Sequence, residues 1–239
     1  MRHTPLKVTF HLDGTGVLYD INEPPMLDGL DYLMQGCLHG RFGDTPPGRE
    51  GEPLEQRLSF KQSTIRGHKV FHASALFPDG PQASEILYIR KKFQLSRIEL
   101  TKGSPNLQNA TYREYNIPYE KLLCHKLVAY CVLEAPFKAD RNPNRRSPVG
   151  EFKRDLRRFY TNLGKKRAIG LGQLVDVTVD RIDDDYSLVM DGKAMRWLPD
   201  DAGWRVCRVR PPYWNICDTV SVCEIGDEYD GLTGPSGVL

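Results

Sequence analysis

The chain has 239 residues, 40% of them hydrophobic, enough for one large domain or two small ones with a real core. Its 33 basic and 31 acidic residues leave a formal net charge of only +2, so overall balance does not announce a polyanion partner. The 6 cysteines include no C-x-x-C pair and no His at zinc-finger spacing, which argues against a structural zinc and reads the thiols as core residues kept reduced.

Taken in chain order, Leu6–Leu12 (LKVTFHL) alternates apolar and polar residues and predicts a strand with one buried face. Asp13-Gly14 starts a loop. Met26, Leu27, Leu30, Leu33, Met34 and Cys37 then recur at helical spacing behind Pro24 and Pro25, as at a helix start. Arg41–Pro53 is Gly, Pro and charge, and reads as a loop. Lys69–Phe77 and Ser84–Phe93 predict two strands joined as a hairpin across Pro78–Gln82, followed by a polar, irregular extension over Gln94–Thr111. His125–Ala135 predicts a further strand.

A Pro-rich approach then leads to a helix over Gly150–Leu163, with Phe152, Leu156, Phe159, Tyr160 and Leu163 as its apolar stripe and Gly164 as its cap. Leu174–Ile182 is strand-like, and SLVMDGKAMRWLP predicts a hairpin turning at Asp191-Gly192. The tail Trp204–Ile225 holds one or two strands, and 226–239 reads as disordered. The whole is an α+β chain, one domain over residues 1–225. With one insertion removed, its order is β-α-β-β-α-β, the ferredoxin-like (RRM-like) plan, with extra C-terminal β-hairpins. Two helices would cover one sheet face and leave the other for a ligand.

The charge is unevenly placed. Lys138, Arg141, Arg145, Arg146, Lys153, Arg154, Arg157, Arg158, Lys165, Lys166 and Arg167 are interleaved with only Asp140, Glu151 and Asp155. Such asymmetry points to a polyanion on one face; the alternative is a solvated helix. Gly170 and Gly172 follow this run. They match neither a Walker loop, which needs Gly-Lys-Ser/Thr between strand and helix, nor a dinucleotide fingerprint, since Val175 stands where a third glycine is required. Asp13-Gly14-Thr15-Gly16 fails likewise. A phosphodiester remains: bare backbone for close approach, with Lys165, Lys166 and Arg167 for charge.

A second cluster, Arg90, Lys91, Lys92 and Arg97, puts Arg90 and Lys92 on one strand face, for nucleic acid or for protection of an edge. In RPPYW (Arg210–Trp214), Tyr213 or Trp214 could stack a base, though core anchoring is commoner. Asp183–Asp185 lacks calcium-loop spacing and reads as a solvated turn. None of the 6 histidines sits in a triad motif. His68 or His72 could serve a metal-independent RNase as general base, but strand histidines are commonly structural. No metal or cofactor site is expected. Met1–Phe10 is not an apolar leader, and Leu127–Leu133 is too short to span a bilayer, so a cytoplasmic location without a membrane is expected.

PLKVTFHL, the helix opening PPMLDGLDYL (Pro24–Leu33), ASAL (Ala73–Leu76) and LGKKRAIGLGQL (Leu163–Leu174) together resemble the RAMP superfamily of CRISPR-associated proteins. Asp28–Leu30 and RPPYW look most like the Cas-five-like subunit of type IV effector complexes, and the likeness runs from Pro5 to about Trp214. The resemblance implies a non-catalytic RNA-binding subunit for antiviral defence. It would hold the 5′ handle of a crRNA and cap a filament of backbone (Cas-seven-like) subunits. It would sit beside a large subunit and contribute to target DNA recognition. The glycine-loop role would fall on Lys165, Lys166, Arg167, Gly170 and Gly172, with Arg145, Arg146, Lys153, Arg154, Arg157, Arg158, Arg90 and Lys92 as further RNA contacts. A thumb would be built from 41–63 or 94–111. The rival is an endoribonuclease that processes precursor crRNA.

Overall fold

A computed structural model describes residues 3–20, 29–42, 58–91, 115–134, 148–165, 169–209 and 219–231. In chain order these form β1 (Thr4–Leu12), β2 (Val17–Asp20), α1 (Leu30–Phe42), β3 (Gln62–Ile65), β4 (His68–Phe71), β5 (Phe77–Pro78), β6 (Ala83–Lys91), β7 (Tyr115–Leu123) and β8 (Lys126–Leu133). Then come α2 (Pro148–Phe159), β9 (Leu174–Arg181), β10 (Val189–Met190), β11 (Lys193–Ala194), β12 (Leu198–Pro199), β13 (Arg205–Cys207) and β14 (Val220–Cys223). The fold is α+β, and the paired strands are antiparallel.

β1 lies inside a sheet of order β5–β8–β1–β9. Its register sets Phe10 opposite Leu127 and Val177, and Val8 opposite Ala129 and Val179. Alternation therefore collects Leu6, Val8, Phe10 and Leu12 on one buried face and leaves Lys7 and His11 half-buried on the other. The buried face packs with Leu30, Leu33, Met34 and Cys37 of α1 and with Phe152 and Leu156 of α2. The helices approach closely because α1 carries Gly36 and Gly40. A Cβ on Gly36 would lie 2.3 Å from the Tyr160 hydroxyl, and one on Gly40 would lie 2.8 Å from the Phe159 ring. The Tyr160 hydroxyl donates to the Leu33 carbonyl at 2.9 Å, so its polar tip is satisfied inside the core.

A second core gathers Ile65, Val70, Leu188, Leu198, Val209, Val222 and Tyr229. Arg196, 4% exposed, pins it to the first. Its guanidinium donates to the carbonyls of Phe71, Ala73 and Val209 and pairs with Asp31, 0% exposed, at 3.1 Å. Asp31 sits in the first turn of α1, where the helix dipole also favours a carboxylate.

Several expectations are corrected. β6 pairs with β7 in a separate sheet of order β2–β7–β6, not with the 69–77 segment. That segment breaks after Phe71, because the Ser74 hydroxyl donates to the Ala75 carbonyl and accepts from Tyr130 N–H, displacing a regular ladder. Its first half instead forms the β3–β4 hairpin through Arg66 (φ 47°) and Gly67 (φ 79°). α2 ends at Phe159, earlier than expected, and Leu163 pairs instead with Gly172 through a 2.9 Å bond from its N–H. α1 continues to Phe42; its expected beginning at Met26 and Leu27 lies outside the described residues. Of the tail expected to be disordered, the structure describes 226–231, anchored by Tyr229, which is 6% exposed and donates to the Pro199 carbonyl at 2.9 Å. The thumb candidates fall largely outside the described residues, although 58–63 belongs to the core region through Leu58 and Phe60.

Candidate nucleic-acid interface

Pro148 opens α2 where a missing N–H leaves nothing unpaired, Glu151 stands in the first turn, and Arg157 and Arg158 stand in the last. Phe152 and Leu156 turn into the core, which forces Lys153, Arg154, Arg157 and Arg158 outward. With Gly150 these four line an open depression of about 450 Å³. The expected cations of α2 are thus brought together on one surface.

Their charge is partly answered from within. Arg154 lies 3.6 Å from Asp155 and 4.0 Å from Glu151, and Arg157 lies 3.4 Å from Asp176 at the start of β9. Such partly exposed pairs are worth about 0–1 kcal/mol. A charge-assisted contact to phosphate is worth about 1.5–3 kcal/mol, so a polyanion can compete for both arginines. The guanidinium of Arg158 sits 5.4 Å from the Phe159 ring centroid. Lys153 and Arg158 enter none of these carboxylate pairs.

The bend between α2 and β9 separates its two glycines. Gly170 (φ +84°) is exposed, and a Cβ there would meet nothing within 4 Å. Gly172 (φ +66°) is buried, and a Cβ would fall 2.4 Å from the Leu163 carbonyl oxygen. The bareness of Gly172 therefore serves the protein's own chain, which corrects the reading of it as a phosphate contact; Gly170 alone of the two faces open space. Lys165 is half-buried, and its N–H donates to the Leu18 carbonyl at 2.8 Å. The Arg157–Asp176 pair ties the end of α2 to the strand leaving this bend.

Arg90 is exposed on β6, its Nε donating to Asn116 Oδ1 across the strand pair at 3.1 Å. Lys92, Arg145, Arg146, Lys166, Arg167, Tyr213 and Trp214 lie outside the described residues. On the sheet face away from the helices, Lys7 pairs with Asp79 at 3.4 Å and His11 Nε2 lies 3.4 Å from Thr178 Oγ1, so that face is mixed in charge.

His68 is half-buried on β4. His72, 1% exposed, has both ring nitrogens engaged: Nε2 with Ser63 Oγ at 2.6 Å and Nδ1 with Asp185 Oδ2 at 2.6 Å. Asp185 is therefore no simple solvated turn residue. Burial pushes its carboxyl up, but bonds from His72 and Ser187 outweigh that and hold it down at about 2. No sequence signature joined Ser63, His72 and Asp185, because they come from three separated segments. Cys37 is a poor nucleophile, its thiol pushed up to about 12 by burial and then by Asp155. Among the described residues, no group of three His, Cys, Asp or Glu is placed to hold a metal, and no helix is long and apolar enough to cross a membrane.

No model of a known protein family matches the sequence, and no curated protein matches it.

Proposed function

We propose that the chain is an RNA-binding subunit, non-catalytic toward RNA, with a ferredoxin-like core of the RAMP kind. The basic face of α2 carries this reading: Lys153, Arg154, Arg157 and Arg158 line one open depression. The sheet order supports the core assignment. Counting β1, β5, β8 and β9 as first to fourth core strands, the order is fourth, first, third, second, with helices after the first and third. Gly170, bare and exposed in the bend, adds a place where a sugar–phosphate backbone can approach.

On this reading the bound RNA is the 5′ handle of a crRNA in a type IV CRISPR ribonucleoprotein of the cytoplasm. The subunit caps the backbone filament and, with the large subunit, contributes to target DNA recognition. Exposed Ile86 and Tyr88 on β6 support a contact with a neighbouring subunit. The precursor-processing alternative has less support, since His72 is buried with both nitrogens occupied and cannot reach a 2′-hydroxyl directly. The test is binding of repeat RNA in EDTA. Intact RNA, bound with an affinity that falls with salt and with reversal of charge at Lys165, Lys166 and Arg167, is expected. Unchanged binding by the folded triple variant would refute the bend's role, and RNA cleavage lost in His68→Ala or His72→Ala would favour the enzyme.

A further inference from the structure

The molecule holds a second arrangement that RNA binding does not use. Ser63 on β3, His72 just beyond β4 and Asp185 after β9 form one hydrogen-bonded chain, 2.6 Å from Ser63 Oγ to His72 Nε2 and 2.6 Å from His72 Nδ1 to Asp185 Oδ2. The Asp185 carboxyl, held at about 2, is ionised at neutral pH and accepts from Nδ1–H. In the tautomer that carries its proton on Nδ1, His72 presents Nε2 as an acceptor, and the Ser63 hydroxyl donates to it. The base and the carboxylate are each fixed from behind. His72 N–H donates to the Lys61 carbonyl at 2.8 Å, Lys61 N–H donates to the Val132 carbonyl at 2.8 Å, and Val132 N–H donates to the His72 carbonyl at 2.9 Å, locking the base against β8. The second Asp185 oxygen accepts from Ser187 N–H and from its hydroxyl. Lys61, two residues before Ser63, puts its ammonium 4.0 Å from Asp185 Oδ2. The base is 1% exposed, Ser63 is half-buried and Asp185 is exposed, so the imidazole is shielded between two members that lie nearer the surface.

From this geometry we infer that Ser63 is an activated nucleophile for acyl transfer, with carboxylic esters as its substrate class. His72 Nε2 takes the hydroxyl proton as Oγ attacks the carbonyl carbon. The carbon–oxygen bond to the alkoxide then breaks, the proton passes from His72 to that leaving oxygen, and Ser63 carries the acyl group. Water, deprotonated by His72, attacks the acyl carbon, and Oγ leaves with the proton returned. Asp185 is a positioning residue: it fixes the tautomer and steadies the imidazolium.

The test uses the full chain with a fluorophosphonate probe, which bonds to an activated serine as fluoride leaves. A single adduct on the peptide carrying Ser63 is expected, absent in Ser63→Ala. General-base assistance contributes about 100- to 10,000-fold, so His72→Gln and Asp185→Asn should slow labelling by that order. With p-nitrophenyl acetate, Asp185→Asn should lower kcat and leave KM. No adduct at Ser63 in the wild type, or an undiminished rate in either folded variant, overturns the inference. Should both buried substitutions unfold the chain in a thermal melt, the comparison of wild type with Ser63→Ala on p-nitrophenyl acetate decides: equal hydrolysis overturns it. RNA binding is measured separately and is unaffected by either result.

Discussion

Replacing Lys153, Arg154, Arg157 and Arg158 together by Gln removes four cations from the α2 depression without adding negative charge. On a single strand, each neutralised phosphate contributes about 0.7 to the slope of log K against log salt, so four contacts give a slope of about −2.8. Between about 50 mM and about 200 mM salt, that slope predicts a loss of about 50-fold in affinity for the wild-type contribution of this face. Arg154 and Arg157 must first leave Glu151, Asp155 and Asp176. If those carboxylates win, only Lys153 and Arg158 count, the slope is about −1.4, and the loss over the same range is about 7-fold. Fluorescence anisotropy of labelled repeat RNA across a salt series reads the slope directly. The four-residue variant should flatten it by about 1.4–2.8. An unchanged slope in a variant that melts like the wild type would refute a phosphate seat on α2.

Gly170→Ala and Gly172→Ala should separate ligand from fold. Both glycines have positive φ, a conformation that costs an L-residue about 1–2 kcal/mol, but only Gly172 also meets its own backbone at 2.4 Å. Thermal melts should show the larger loss for Gly172→Ala, while Gly170→Ala should weaken RNA binding and lose only the conformational cost of about 1–2 kcal/mol. Arg196→Met should destabilise by about 3–5 kcal/mol in urea titration, because it strands Asp31 as a buried charge. Asp185, with its carboxyl lowered from 3.8 to about 2, contributes stability that is complete above pH ~4 and lost as pH falls toward ~2. Asp185→Asn should remove that part of the acid denaturation curve.

β1, β8 and β9 were expected close to their observed limits: β1 because one buried face imposes a period of two, β8 because a short apolar run suits a strand buried on both faces. Asp191-Gly192 was legible as a turn because both residues tolerate positive φ, and they adopt 51° and 77°. The β3–β4 turn was not, because Arg66 adopts φ 47° in a position where Asn or Asp is the usual signal. β7 was hidden by Pro118, which reads as a strand breaker. Pro118 nonetheless stands in register opposite Tyr88 of β6. At the candidate site, the amphipathic pattern of α2 disclosed which cations face outward. It could not disclose Asp176 as a partner, nor that Gly172 is bare for Leu163, since both depend on chain segments brought together only by the fold.

The most direct test of the RNA seat is ultraviolet cross-linking of repeat RNA to the full chain, with the adducted peptides located by mass spectrometry. Cross-links concentrated in peptides spanning residues 148–172, and lost as salt rises, are predicted. Cross-links confined to other parts of the chain, with 148–172 unmodified, would contradict the account.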